Sequence, residues 1–431
     1  MTSSTTSVSI HAVNTPTQWA GGMLRFTAVA MACLLTACAN VQLPVWNGTS
    51  AAPAVRTAPQ PSTSTPAPSP AVSQPIAPSK QLTPLPYNPA IEARFPDPSV
   101  RYETPGLTEG RQQFTTQAEM TGLLQSLTSK AASGQRMELA TIGTSQRGLP
   151  ILALIATQGQ STQATALNSN GKPTVLLVGQ QHGDEPASAE ALLAIARELG
   201  QGGLLSPLLQ QINIIIVPRA NPDGAQTSSQ LTADGTDLAR DHLILSTPEA
   251  QALAKLTRNY RPVALLDLRE YAAAGPFLQK FQAVQRYDLL VQPASTANNH
   301  EFVIKAAREW FVEPMRNALN QSDITNDWYY EASAQPADKS LSMASTDADS
   351  LINANSLKNT ASLMIASRGS DLGRLHIQRR VHSLVTAANS ALRSAAAKAK
   401  NLNQVESFVT RDIASQACRG TVTIQTQQTP E

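Results

Sequence analysis

The chain has 431 residues, with 33 Lys+Arg against 31 Asp+Glu and three cysteines. A formal charge of +2 is too small for a nucleic-acid footprint, which needs a concentrated basic surface, so nucleic acid is not expected as a partner. Three cysteines exclude a disulfide scaffold, while 42% apolar residues suffice for a sizeable core.

The charge is unevenly spread. Residues 1–91 contain no Asp or Glu, and their basic side chains are Arg25, Arg56 and Lys80. The remainder carries 30 Lys+Arg against 31 Asp+Glu, so the globular part is close to neutral. Residues 26–37 (FTAVAMACLLTA) form an apolar run too short for a membrane span, which needs about 20 residues. With Arg25 in front it fits the apolar core of an export signal. The run ends Leu35-Thr36-Ala37-Cys38, which resembles a bacterial lipobox. That resemblance implies cleavage before Cys38, lipid on its thiol, and a lipid-anchored protein of the cell envelope, on the outer membrane facing the periplasm. Met23 gives a more conventional leader than Met1, and the start stays open between the two.

Residues 1–37 are thus read as signal peptide and 38–95 as a linker. Of the 29 prolines, 12 lie between 41 and 95, among Ala, Ser and Thr. Such a segment buries too little apolar surface to offset the entropy of ordering it. Residues 96–405 form one globular body and 406–431 a tail.

In the body, residues 174–178 (TVLLV) read as a strand buried on both faces, followed by Gly179-Gln180-Gln181-His182. Pro186 opens a helix whose apolar residues Leu192, Leu193, Ile195 and Leu199 share a face, and Gly200 ends it. Residues 212–217 (INIIIV) are a second strand, running into the turn signal Asn221-Pro222-Asp223-Gly224. Pro248 starts a helix reaching Tyr260; strands are expected at 263–268 and 363–365, and a long helix from about 374 to 400. The alternation predicts an α/β fold with a mixed, mostly parallel open sheet and helices on both faces. Ligands of such sheets gather beyond the carboxyl ends of the strands. His182, Asn221, Arg269 and Ala366 are placed just past those ends.

His182-Gly183-Asp184-Glu185 is an HxxE pair in the setting strand, loop, Pro, helix. It is followed by NPDG at 221–224, by Asp237-Leu238-Ala239-Arg240-Asp241-His242, by Asp267-Leu268-Arg269-Glu270-Tyr271, and by Ile365-Ala366-Ser367-Arg368-Gly369. In this order and spacing the body resembles the M14 zinc carboxypeptidase family. The resemblance implies a zinc-carboxypeptidase-like fold, a catalytic zinc on three protein ligands with an open position for water, and a glutamate as general base. Residue by residue, His182 and Glu185 stand at two ligand positions and Asp237 at the carboxylate that orients the first His. Arg240 matches the Arg of an Asn-Arg pair that grips a substrate carboxylate.

Other positions depart from the family pattern. The third ligand position is Arg269, the general-base position is Ala366, and the oxyanion position aligns with Gln230. Ala239 replaces the Asn of the pair, and Ile352 replaces a related Arg. Zinc, if held at all, is then expected to be held weakly. Arg269 either pairs with Glu185 in place of the metal's charge or fills an abandoned site. His300, His376 and His382 are expected to be loop or surface residues rather than substitute ligands. Tyr329 and Tyr330 are equal candidates for a tyrosine covering the substrate. Three functions remain open: a tethered pseudo-peptidase that binds peptides or a protein partner, an active carboxypeptidase with an atypical site acting on peptides such as those of the cell wall, and a structural envelope lipoprotein.

Overall fold

The computed structural model describes residues 3–8 and 89–428, apart from 201, 334, 336, 344 and 418. Most of the leader, Cys38 with its expected lipid, and the linker up to 88 lie outside the described residues. Ser3–Val8, for which the sequence suggested no element, pairs antiparallel with Val422–Gln428. Thr5, Thr6 and Val8 are of the types enriched in strands.

Eight strands form the main sheet. They are β1 (Arg136–Thr144), β2 (Pro150–Thr157), β3 (Thr174–Gly179), β4 (Asn213–Val217), β5 (Ala264–Tyr271), β6 (Leu289–Pro293), β7 (Asn326–Trp328) and β8 (Ala361–Arg368). Their order is β1-β2-β4-β3-β5-β8-β6-β7. The centre, β4-β3-β5-β8, is parallel throughout, and β2 and β6 join it antiparallel. The expected mixed α/β sheet is therefore present, although only its four central strands were legible. Those four are built on apolar runs and are buried along almost their whole length. β1, by contrast, is a half-exposed edge with a register shift between Thr141 and Gly143, and such a strand carries little periodicity.

Five longer helices matter for the site: α1 (Gln117–Ser129), α2 (Pro186–Leu199), α3 (Pro248–Tyr260), α4 (Ile377–Ala397) and α5 (Ala399–Gln416). α1 starts in a capping box, with Thr116 accepting from the Glu119 backbone and Glu119 reaching back to Thr116. α2 and α3 both have proline in the first turn, where the lost N–H costs nothing. The face of α2 built by Leu192, Leu193, Ile195 and Leu199 is fully buried, each side chain contributing about 1.5–3 kcal/mol. The helix expected near 374–400 differs at both ends. His376 caps α4 in a left-handed conformation (φ 55°), and the chain breaks at Lys398 and resumes as α5, through the expected start of the tail at 406.

Alternation along β5 divides the two sides of the sheet. Leu266 and Leu268 enter the core shared with α2 and α4, while Leu265 enters the core shared with α3. Glu270, on the α2/α4 side, is buried. Its carboxylate accepts from Ala187 N in the first turn of α2 (2.8 Å) and from Arg380 Nε (2.8 Å) and Nη2 (2.5 Å) on α4. One carboxylate thus ties the end of β5 to the starts of two helices. Burial pushes its pKa up to about 7, against the opposing charge of Arg380. Removing one partner of such a pair leaves a buried charge uncompensated. Arg380→Ala is expected to cost about 3–5 kcal/mol, read as a lower urea midpoint at an unchanged m-value.

Candidate functional site

The chain leaves β3 toward β4 on one side and leaves β5 toward β6, β7 and β8 on the other. The crevice between the carboxyl ends of β3 and β5 is therefore the switch point where open α/β sheets bind ligands. His182 lies in the loop after β3. Arg269 and Ala366 were expected beyond their strands; instead they lie inside β5 and β8, directly paired across the parallel ladder. The ladder continues through Tyr271 and Arg368, so both side chains are held by sheet geometry rather than by a loop.

The His182 loop rests on the NPDG segment. Ala220 N and Asn221 N donate to Gly179 O and Gln180 O (3.0 Å each), and Asn221 Nδ2 donates to Gln181 O (3.2 Å). Asn221 also caps a short helix, Pro222–Thr227, by accepting from Gly224 N (2.9 Å). A Cβ on Gly183 would come within 2.0 Å of Gly224 C, so glycine is needed where these two backbones meet. NPDG is thus a support for the loop that carries the HxxE pair.

At the centre the Arg269 guanidinium meets two faces of the pair. Its Nε donates to Glu185 Oε2 (2.8 Å) and Nη2 donates to Glu185 Oε1 (3.1 Å), while Nη2 also lies against the His182 ring, 2.6 Å from Nδ1 and 3.2 Å from Nε2. Nη1 lies 3.7 Å from Asp267 Oδ2. On its far side His182 Nε2 donates to Asp237 Oδ1 (2.7 Å), and Asp237 in turn accepts from Ala239 N (3.0 Å). When Nδ1 carries a proton, Glu185 Oε1 stands 2.9 Å away to accept it.

Electrostatics follow from burial and pairing. Burial alone would raise the Glu185 pKa; the Arg269 charge, then His182, reverse this and hold it at about 2. Burial likewise opposes the Arg269 charge, and Glu185 and Asp267 outweigh it, so the guanidinium stays charged. For His182, burial and Arg269 push the pKa down, but Glu185 and Asp237 carry it above the usual value. Burial leaves Asp267 above the usual carboxylate range despite Arg269 beside it.

Residues outside the matched motif roles complete the arrangement. Gln181 donates to Asp267 Oδ1 (2.8 Å), and buried His242 Nε2 meets Gln181 Oε1 (2.6 Å). Burial holds His242 down to about 3, so it is neutral. Asp241 accepts from the backbone and hydroxyls of Ser246 and Thr247 (2.7–2.8 Å), pinning a loop that exposes Leu243 and Ile244. A polar Asp267 inside an apolar run was the one sequence signal of this buried relay. Asp184 was also passed over; with His182 and Glu185 it forms the group of His/Asp/Glu side chains close enough to share an ion among the described residues.

Ala366 is fully buried in a cluster with Tyr271 and Leu290, against which Tyr287, Tyr329 and Tyr330 pack. Four of the chain's seven tyrosines thus gather at this position. Tyr329 and Tyr330 both belong to it, and Tyr329 donates to Glu331 (2.7 Å). The other candidates separate. Arg240 is more than half exposed, with Nε 4.0 Å from Asp237 and Nη1 3.9 Å from Asp349. Gln230 is exposed in the loop before Asp237. His300 pairs with Asp412 (3.1 Å), His382 meets the Tyr102 hydroxyl (2.7 Å), and His376 caps α4, so none of the three joins His182.

Fold and site together define an α/β protein with a buried His–carboxylate–arginine cluster at the switch point of its sheet. Residues 123–242 match the family described as Peptidase_M14, zinc carboxypeptidase; they include His182, Glu185, Asp237 and Arg240. The chain is 26% identical over 310 residues to "Carboxypeptidase 2" of Trichophyton rubrum, covering 72% of this chain and 56% of that protein. It is 33% identical over 133 residues to "Carboxypeptidase D" of Mus musculus, covering 27% of this chain and 10% of that protein. The crystal structure of carboxypeptidase A from Helicoverpa armigera aligns with a TM-score of 0.49 at 17% identity, covering 67% of this chain and 75% of that one. The chain is thus similar to the M14 zinc carboxypeptidases over part of its length, through the segment that holds the HxxE pair. It spans about half the length of the Trichophyton relatives it matches.

The site makes a pH dependence explicit. Glu185 has a folded-state pKa of about 2 against an ordinary 4.5, so its ionisation stabilises the fold above about pH 4.5. That contribution, on the order of 3 kcal/mol, is lost as the pH falls through about 2. Between those pH values the stability gap between wild type and Glu185→Gln is expected to narrow, measured by urea unfolding at each pH.

Proposed function

We propose that this chain is a membrane-anchored, non-hydrolysing relative of the M14 carboxypeptidases that binds peptides or a protein partner at the rim of its switch-point site. The observation that carries this reading is the pairing of Ala366 with Arg269 in the β5/β8 ladder. These are the positions where the resemblance calls for a base and a metal ligand. A methyl group takes no proton from water, and loss of a general base alone typically costs 10²–10⁴-fold in rate. Glu185, held at about pKa 2, is a poor replacement base at neutral pH.

The rim supports binding. Arg240 is only loosely paired, and its guanidinium suits a two-point hold on a peptide carboxylate. Leu231, Leu243 and Ile244 are exposed nearby in the chain, on the loops flanking Asp237 and Arg240, and offer apolar contact.

Anchoring rests on the leader: an apolar run ending in Cys38, then a proline-rich spacer. We place the protein on the outer membrane, facing the periplasm.

Three measurements test the proposal. A panel of peptides should show no release of C-terminal residues; chelator-sensitive release would establish the active carboxypeptidase instead. Peptide binding should saturate and weaken at least tenfold in Arg240→Ala, the loss of about 1.4 kcal/mol expected for one charge-assisted pair. No binding to wild type would leave the structural lipoprotein. Cys38→Ala should move the protein from the membrane to the soluble fraction.

A further inference from the structure

We infer that Arg269 is the resident cation of this site and that its guanidinium takes the place of the metal ion, so the folded protein has no zinc requirement. This concerns what neutralises the HxxE pair, and it stands whether or not peptides bind at the rim.

The fit of zinc can be judged from the donor atoms. A zinc ion needs its ligand atoms at about 2.0–2.3 Å, on a ring nitrogen and a carboxylate oxygen aimed at one point. Here the guanidinium occupies the space between them, and the two nitrogens of His182 face Glu185 and Asp237. Arg269 Nη2 is 2.6 Å from His182 Nδ1 and 3.1 Å from Glu185 Oε1, and Nε is 2.8 Å from Oε2. Both carboxylate oxygens are therefore engaged by one side chain, and its Nη2 also lies against the His182 ring, 3.2 Å from Nε2. A divalent ion placed among them would face a fixed positive charge at contact distance, a repulsion that burial strengthens. Asp184 could add a third donor, but it does not relieve that repulsion.

The arginine is also held from behind. Asp267 Oδ2 stands 3.7 Å from Nη1, Gln181 fixes Asp267, and neutral His242 fixes Gln181. Swinging Arg269 aside to admit a metal would break its contacts to Glu185 and to Asp267 and would move a charged guanidinium away from its buried carboxylate partners. Its place in β5, paired with Ala366 across the ladder, gives the backbone no room to retreat. His182 meanwhile keeps the Asp237 contact that orients its ring, so the pair retains its geometry with one positive charge supplied by the chain itself.

The test uses the full chain and reads metal content and thermal stability. Protein dialysed against zinc and then buffer should carry well under stoichiometric metal, and EDTA should leave Tm unchanged. Arg269→His restores an imidazole at the third position; it should take up stoichiometric zinc, and its Tm should fall by several degrees in EDTA. Arg269→Ala should lower Tm, and a low-millimolar guanidinium salt should restore part of the loss, whereas sodium chloride at equal ionic strength should not. Should Arg269→Ala fail to fold, wild type and Arg269→His decide the matter. Stoichiometric zinc in wild type, or a chelator-dependent Tm, would overturn the inference. Peptidase activity is read in none of these assays, so absence of hydrolysis and absence of metal succeed or fail separately.

Discussion

A single charge, the guanidinium of Arg269, organises the centre of this molecule. It sits near the carboxyl end of β5, between the carboxylates of Glu185 and Asp267 and beside the ring of His182. Taken alone, each buried carboxylate would be costly, because burial disfavours the ionised form. With the guanidinium present, Glu185 stays ionised far below its ordinary pKa and the loop after β3 is tied to the sheet. The switch-point crevice thereby has a defined floor.

That floor is supported from both sides of β5. On one side Asp267 and Arg269 face the crevice, and the relay through Gln181 and His242 reaches the loop that exposes Leu243 and Ile244. On the other side Glu270 joins the first turn of α2 to Arg380 of α4. Three consecutive positions, Leu268, Arg269 and Glu270, thus serve an apolar core, a polar site and a buried ion pair. The twofold alternation of a strand makes this possible, since neighbours point to opposite faces.

The same geometry bears on the family's chemistry. Ala366 lies beside Arg269 in the ladder, and tyrosines pack over it. A carboxylate introduced there would meet phenol rings and apolar walls. A small residue at 366 suits the aromatic cover, and an arginine at 269 suits the carboxylates that surround it. The supports inherited by the fold, NPDG beneath the loop and Asp237 behind His182, remain in place because they hold the backbone as well as the site.

Much of this was legible in the residues themselves. Apolar runs gave the four central strands, prolines marked the starts of α2 and α3, and the ordered motifs from His182 to Ala366 gave the resemblance to the M14 family. The edge strands, the split between α4 and α5, and the ribbon of Ser3–Val8 with Val422–Gln428 were not readable, because short or half-exposed segments carry weak periodicity. The sequence alone determined which side chains are present at the site and which the family pattern lacks, since identity is a property of the chain. Only the tertiary structure decided that Arg269 reaches both His182 and Glu185, that Asp267, Gln181 and His242 stand behind it, and that tyrosines cover Ala366. Those groups are far apart in the chain, and the sheet register of β5 together with the loops that follow β3 and β4 brings them within reach of one another.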